Sequence, residues 1–341
     1  MSSPSQKPAR ETTPEVHDVF LDASLRPTRW DDYVGQAQTK NNLHILLSAA
    51  KERGHAPEHI LFYGPAGLGK TTLAHLISHE LDAAIKITSG PAIERVGDLA
   101  SLLTNLSAND ILFIDEIHRL NPAIEEVLYP AMESGRLDII IGKGPSARTV
   151  QLDLPPFTLI AATTRIALLS APLRSRFSGG MFRLEFYTDE EIFTILTRSA
   201  HLLGVEADAD ALHEIAQRSR STPRTANYLL KRARDYAQVH KKKLSLPIVH
   251  DALTLLGIDD KGLTPTDQKL LELIVTTFNG GPVGLSTLAA SLSEDPATIE
   301  EVYEPYLMQL GFIERSPRGR LITSKGRAHI DKDNSSQDSL L

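Results

Sequence analysis

The octapeptide Gly64-Pro65-Ala66-Gly67-Leu68-Gly69-Lys70-Thr71 constrains this chain more than any other feature. It fits G-x-x-x-x-G-K-[ST], follows the apolar run His59–Tyr63 and opens the helix-patterned stretch Thr71–Leu81, the context that gives the pattern meaning. Glycines such as Gly67 and Gly69 let backbone N–H groups wrap phosphates without a Cβ in the way, and the helix N-terminus adds the positive end of its dipole. Lys70 is then expected to bridge the β- and γ-phosphates of ATP, and the Thr71 hydroxyl to hold Mg²⁺.

Such a loop needs a second strand ending in a carboxylate. Asp110–Glu116 (DILFIDE) supplies it, with Asp115 about 45 residues after Lys70. Asp115 is placed to support the Mg²⁺ and Glu116 to polarise an attacking water. A base is needed for turnover and not for sensing alone. A third strand, within Phe157–Thr164, ends in hydroxyls that could reach a γ-phosphate; Thr164 is the first choice and Thr163 the second. In Ala171-Pro172-Leu173-Arg174-Ser175-Arg176-Phe177 an arginine can neutralise transition-state charge, Arg176 ahead of Arg174. Thr222-Pro223-Arg224 starts a helix from which Arg224 could reach the phosphates of its own subunit.

Strand and helix patterns alternate through the first half, which predicts an α/β fold with a mostly parallel sheet and helices on both faces. From Thr188 to about Ile258 the pattern is almost wholly helical. Beyond the Gly257–Pro265 linker come three helical stretches and a short strand-turn-strand, the order of a winged-helix module. The expected limits are a disordered tail at 1–18, an ATPase domain at 19–187 and a helical lid at 188–258. A winged-helix DNA-binding domain at 262–330 and a disordered tail at 331–341 complete the division. Zero cysteines exclude a disulfide scaffold and a thiol nucleophile. No apolar run approaches the ~18 residues of a membrane span, and no secretory h-region opens the chain. A cytoplasmic protein without membrane partners is therefore expected.

The 36 Lys+Arg and 43 Asp+Glu leave a net charge of −7, which argues against a globally basic nucleic-acid binder. Local charge says more. The third helical stretch of the winged-helix segment, Glu294–Gln309, carries Glu294, Asp295, Glu300, Glu301 and Glu304 and neither Lys nor Arg. Phosphates repel such a helix, so base readout in the major groove is not expected. The following wing is basic, and Arg315 and Arg320, with Arg318 after them, are candidate phosphate contacts.

From about Leu25 to Arg327 the chain resembles the RuvB family of AAA+ ATPases. The resemblance rests on LRPTRWDDYVGQ, GPAGLGKTTLA, LFIDEIHRLNPAIEEVLYPAMES, APLRSRF, STPRTANYLLKR and EPYLMQLGFIERSPRGR. It implies an ATP-driven homohexameric ring that moves Holliday junctions by pulling their duplex arms. It also implies a RuvA-type junction-binding partner and a RuvC-type nuclease that can join. Carried over by position, Leu25, Arg26, Tyr33 and Val34 resemble the adenine pocket, and Gly67, Lys70, Thr71 and Thr72 the phosphate site. Thr164 and Arg224 resemble the two sensors and Arg176 a finger acting in trans, while Tyr187 at the domain hinge lines the nucleotide. Between Glu133 and Pro156 lies a hairpin whose second arm and tip the resemblance assigns to the RuvA partner. Three departures stand out: Ala66 for a usual proline, Ala161 for a usual glycine, and a stretch after Phe177 (SGGMF) one residue longer than usual. Two rival readings are weighed at this level: a two-lobed helicase, suggested by the Asp115–His118 DExH spelling, and an ATP-switched loader. The helical and winged-helix segments after Thr188 leave no room for the second lobe that the first would need.

Overall fold

A computed structural model describes residues 24–141 and 148–338. Five parallel strands form the central sheet: β1 (Ile60–Tyr63), β2 (Ile85–Ser89), β3 (Ile111–Asp115), β6 (Thr158–Thr163) and β7 (Gly180–Arg183). Their order is β2-β3-β6-β1-β7. The three foreseen strands are the central ones. Their residues are buried on both faces almost throughout, and such strands read as continuous apolar runs. The edge strands β2 and β7 were not legible. The first (IKITS) is half-buried along most of its length, and the second alternates half-buried and exposed residues after two glycines.

Because side chains alternate across a sheet, each central strand feeds two cores. Ile60, Phe62, Phe113 and Ile160 join an apolar cluster that continues into the lid through Leu196, Leu229 and Leu230. Leu61, Leu112, Ile114 and Leu159 face the opposite layer, with Leu99 and Leu128. Ala161, one of the three departures, is fully buried in that layer, its backbone beside Leu61 and Ile114. In-register pairing of Tyr63 with Thr163 sets the ends of β1 and β6 side by side, and β3 ends next to them. In an open α/β sheet the crevice beyond these carboxyl ends is where ligands bind.

The lid opens as its pattern predicts. Thr188 accepts from the Glu191 N–H while the Glu191 carboxylate accepts from the Thr188 N–H, a reciprocal cap that starts the helix Asp189–Leu202. Helices Ala209–Gln217, Pro223–Val239 and Leu246–Leu255 complete it. The linker that follows is ordered by Asp259, whose carboxylate accepts from the N–H groups of Lys261 and Leu263.

Helices Pro265–Thr276 and Leu285–Leu292 then pack with Pro296–Thr298, a π-helical turn Ile299–Tyr303 and the helix Glu304–Gln309. The wing is the hairpin β8 (Ile313–Ser316) and β9 (Gly319–Ile322). Its Gly319, at φ +136°, brings the backbone against Val283, where a Cβ would sit 2.3 Å from the carbonyl oxygen. The tail expected from 331 is corrected here: a helix runs Ser324–Asp338. Its first turns are tied down by buried Ile330 and by His329, which stacks on Phe312 and lies 2.9 Å from Asp259. The helix continues from that anchor through the polar residues that had read as tail. The N-terminal tail, 1–18, lies outside the described residues.

The inserted hairpin is present as β4 (Arg136–Ile141) and β5 (Arg148–Asp153), paired antiparallel with Leu137 opposite Leu152 and Ile139 opposite Val150. Leu137 is buried and Leu152 packs on the same core, whereas Val150 is exposed. The tip, 142–147, lies outside the described residues.

Candidate nucleotide site

A cavity of about 260 Å³ opens where β1 and β3 end and the lid begins. Gly67 (φ +83°) and Gly69 (φ +96°) hold the left-handed conformations the loop needs. Added Cβ atoms would come within 3.1 Å of the Arg224 Cβ and 3.2 Å of the Tyr33 hydroxyl. The helix Lys70–Leu81 starts directly from Gly69, so its free N–H groups point into the cavity.

Lys70 is nearly buried, and its ammonium donates to the Gly64 and Pro65 carbonyls at 2.8 and 2.9 Å. Burial pushes its pKa down to about 8 although Glu116 and Asp115 pull it up. A bound phosphate would offer this cation a stronger partner than two loop carbonyls. Thr71, Thr72, Asp115 and Glu116 line the same wall. The Thr71 hydroxyl and the Asp115 carboxylate are hard oxygen donors, the ligand chemistry Mg²⁺ prefers.

Glu116 adopts a left-handed backbone (φ 47°), which turns it away from the line of β3. Its carboxylate accepts from both the N–H and the hydroxyl of Thr164, each at 3.1 Å, and lies 3.2 Å from His118 Nδ1. Burial raises its pKa, but the His118 ring, the Thr164 N–H, the Lys70 ammonium and the Thr164 hydroxyl outweigh it and hold the pKa at about 2. Glu116 is thus ionised at neutral pH and restrained by the Thr164 expected to meet the γ-phosphate. Thr163 is fully buried and bonds to His118 at 2.9 Å, so of the two threonines it is Thr164 that faces Glu116.

The opposite end is apolar. Leu25, Tyr33 and Tyr187 are buried, and Arg26 and Val34 line the rim. The Tyr187 hydroxyl donates toward the Leu68 carbonyl at 3.2 Å and lies 3.3 Å from that of Tyr33. Burial pushes Tyr187 up to about 12 and Tyr33 well above its ordinary value, so both are neutral. Arg224 enters from the lid and stays exposed, its backbone N–H 3.4 Å from the Gly67 carbonyl.

Arg176 lies apart. It donates to the Pro172 carbonyl at 2.7 Å, pairs with Glu133 at 3.0 Å and stacks over Tyr129 at 4.4 Å. These contacts all come from residues before the SGGMF stretch. Several neighbours of the cavity were not foreseen. Arg198, on a lid helix, donates to the Leu25 and Arg26 carbonyls and shapes the apolar end. Asn227 lines the pocket one helical turn after Arg224. His118 was visible only as part of the DExH spelling, and nothing in the local pattern marks Arg198.

At the wing, Arg315 and Arg320 are already engaged. Each lies 2.5 Å from Glu304, which is fully buried, and so the acidic helix is the internal partner of the wing. Arg318 is exposed at the turn, and no side-chain partner is seen for it among the described residues. Loss of either arginine would remove one of the two guanidiniums that pair with the buried Glu304 carboxylate, and so would disturb the fold as well as any DNA contact. Arg318→Ala is therefore the cleaner probe. It should weaken duplex binding, reduce the salt slope by about 0.9 and leave the melting temperature unchanged; an unaltered slope would remove Arg318 from the interface.

A phosphate loop, a strand-end Asp-Glu pair and a lid arginine around one cavity define a P-loop ATPase with an AAA-type lid. The sequence comparisons narrow this further. Residues 25–184 match the family model described as the Holliday junction DNA helicase RuvB P-loop domain, 187–259 the RuvB AAA lid domain and 260–331 the RuvB C-terminal winged helix domain. The chain belongs to the RuvB family. It is 58% identical over 314 residues to the Holliday junction branch migration complex subunit RuvB of Dehalococcoides mccartyi (strain CBDB1), covering 92% of this chain and 90% of that one. Among solved structures it resembles the Thermotoga maritima RuvB Holliday junction branch migration motor, at 48% identity and a TM-score of 0.83 over 90% of this chain and 98% of that one. A point mutant of the same protein aligns with a TM-score of 0.84 over the same shares. The winged helix where a second helicase lobe would be needed removes the two-lobed reading.

Proposed function

We propose that this chain is an ATP-driven motor that moves Holliday junctions, working as a homohexameric ring on the duplex arms with a RuvA-type partner and, at times, a RuvC-type nuclease, in the cytoplasm. Among the described residues no helix is long and apolar enough to cross a membrane. The observation that carries the proposal is the split of one hydrolytic set between inside and outside. Lys70, Asp115, Glu116 and Arg224 line a single cavity, while Arg176 points elsewhere. An arginine absent from its own pocket is available to a neighbour's, which makes hydrolysis a property of the ring.

ATP would place its base against Tyr33, Val34 and Leu25, and its phosphates on the loop of Gly67 and Gly69. Mg²⁺, held by Thr71 and Asp115, would neutralise phosphate charge. Lys70 leaves the loop carbonyls for the β- and γ-oxygens. Thr164 turns from Glu116 toward the γ-phosphate, and Glu116, released, orients water and draws its proton. Contacts at the wing go to the backbone and not to the bases, as a motor that crosses any sequence requires.

The deciding experiment is dissociation of a synthetic four-way junction. It should require ATP and be accelerated by a RuvA-type partner, and Lys70→Ala should abolish it. Loading onto DNA with no junction movement would favour the loader reading instead. The exposed Val150 on β5 is the proposed partner contact. Val150→Asp should abolish co-elution with the partner and its stimulation of hydrolysis, and retained co-elution would exclude this face.

A further inference from the structure

We infer that Glu301 of the winged-helix domain is a positioning residue for hydrolysis: with Glu300 it holds the Thr164–Arg165 corner of the nucleotide site, and DNA on the wing releases that hold. The inference rests on the proposed reading of the chain as an ATP hydrolase whose wing meets duplex phosphates.

The acidic π-helical turn Ile299–Tyr303 packs against the end of β6. Arg165 lies 2.6 Å from Glu301 and 3.2 Å from Glu300. Neither of its contacting nitrogens is aligned as a hydrogen-bond donor, so these are charge contacts that can exchange. The Thr164 hydroxyl, which donates to Glu116, is also 3.4 Å from a Glu301 oxygen. A second attachment reaches the other side of the cavity. Arg220 pairs with buried Asp267 at 2.8 Å, donates to the Val302 carbonyl at 3.0 Å and stacks over Tyr306. It stands four residues before Arg224, so the winged-helix domain touches both sensor segments of its own subunit.

Glu300 joins this corner to the wing. One of its oxygens faces Arg165, and the other lies 3.5 Å from Arg315 and 3.9 Å from Arg320. A phosphate arriving at those arginines adds an anion to guanidiniums that already carry Glu304 and Glu300. Glu304 is fully buried and cannot leave without stranding its charge. The group that yields is Glu300, and π-helical turns are where a helix adjusts most readily. As the turn shifts, Glu301 leaves Arg165 and Thr164, and Thr164 is free to exchange Glu116 for a γ-phosphate. DNA and the hydrolytic arrangement are thereby coupled through groups whose contacts differ between the two states.

Steady-state ATP hydrolysis by the full chain, with and without linear duplex, tests the coupling. Glu301→Gln keeps size and removes charge. It should raise kcat without DNA about fivefold or more, shrink stimulation by duplex to match, and tighten duplex binding without raising KM for ATP, because the hold that DNA must displace is already loosened. Glu301→Asp, which keeps the charge, should retain the DNA response. A Glu301→Gln protein with wild-type DNA-free kcat, or with kcat lowered in both conditions, overturns the inference. A wild type that neither hydrolyses ATP nor responds to duplex instead overturns the functional reading beneath it.

Discussion

Arg176→Ala should lower ATP turnover by about 10³–10⁵-fold while nucleotide binding persists. The size follows from the role proposed for the guanidinium at a neighbouring site, where it would meet charge that develops on the γ-phosphoryl group only in the transition state. Binding persists because Arg176 does not line its own cavity. Folding persists because its partner Glu133 is 59% exposed, and such pairs contribute little to stability. Mixed oligomers give the sharper measurement. Arg176→Ala subunits have an intact Glu116, and Glu116→Gln subunits have an intact Arg176. Each alone should be inactive, while mixing should restore part of the turnover, because some interfaces then combine a good base with a good finger. If mixing restores nothing although mixed oligomers form, the arginine does not act in trans.

Glu116→Gln should lose about 10²–10⁴-fold in turnover and still bind ATP. The amide cannot take a proton from water. Its carbonyl oxygen can still accept from Thr164, so the site keeps its shape. The pH profile carries a second expectation. With its folded pKa depressed to about 2, Glu116 favours the folded state above its ordinary value of 4.5, and this contribution is lost as pH falls through 2. Protonation of Glu116 in the free enzyme therefore does not limit kcat/KM between pH 5 and 8. A limb there that disappears in Glu116→Gln measured at the same residual rate would contradict this assignment.

Legibility followed burial and sequence distance. The three central strands were readable because both faces are buried, and Asp115 and Glu116 came with one of them. The edge strands β2 and β7 were not, since half-exposed residues and glycines blur the pattern. Thr188 announced its helix through a cap built within four residues. Arg198 did not announce its hold on Leu25 and Arg26, which lie more than 170 positions earlier. The acidic composition of the Glu294–Gln309 stretch argues against base readout, but it carries no sign of its internal partners: Glu304 is buried against the wing arginines, and Glu300 and Glu301 face Arg165.

By itself the sequence determined the phosphate loop, the strand-end carboxylates, the lid helix that carries Arg224 and the winged-helix order. Each of these is written in a contiguous stretch, where backbone conformation and neighbouring side chains suffice. Only the tertiary structure decided that Thr164 restrains Glu116, that Arg176 stands outside its own cavity, and that the wing arginines share Glu300 with the hydrolytic corner. Those are pairings between residues up to 137 positions apart. They exist because packing brings charges within a few ångströms, and a charge carries no mark of its partner until that distance is set.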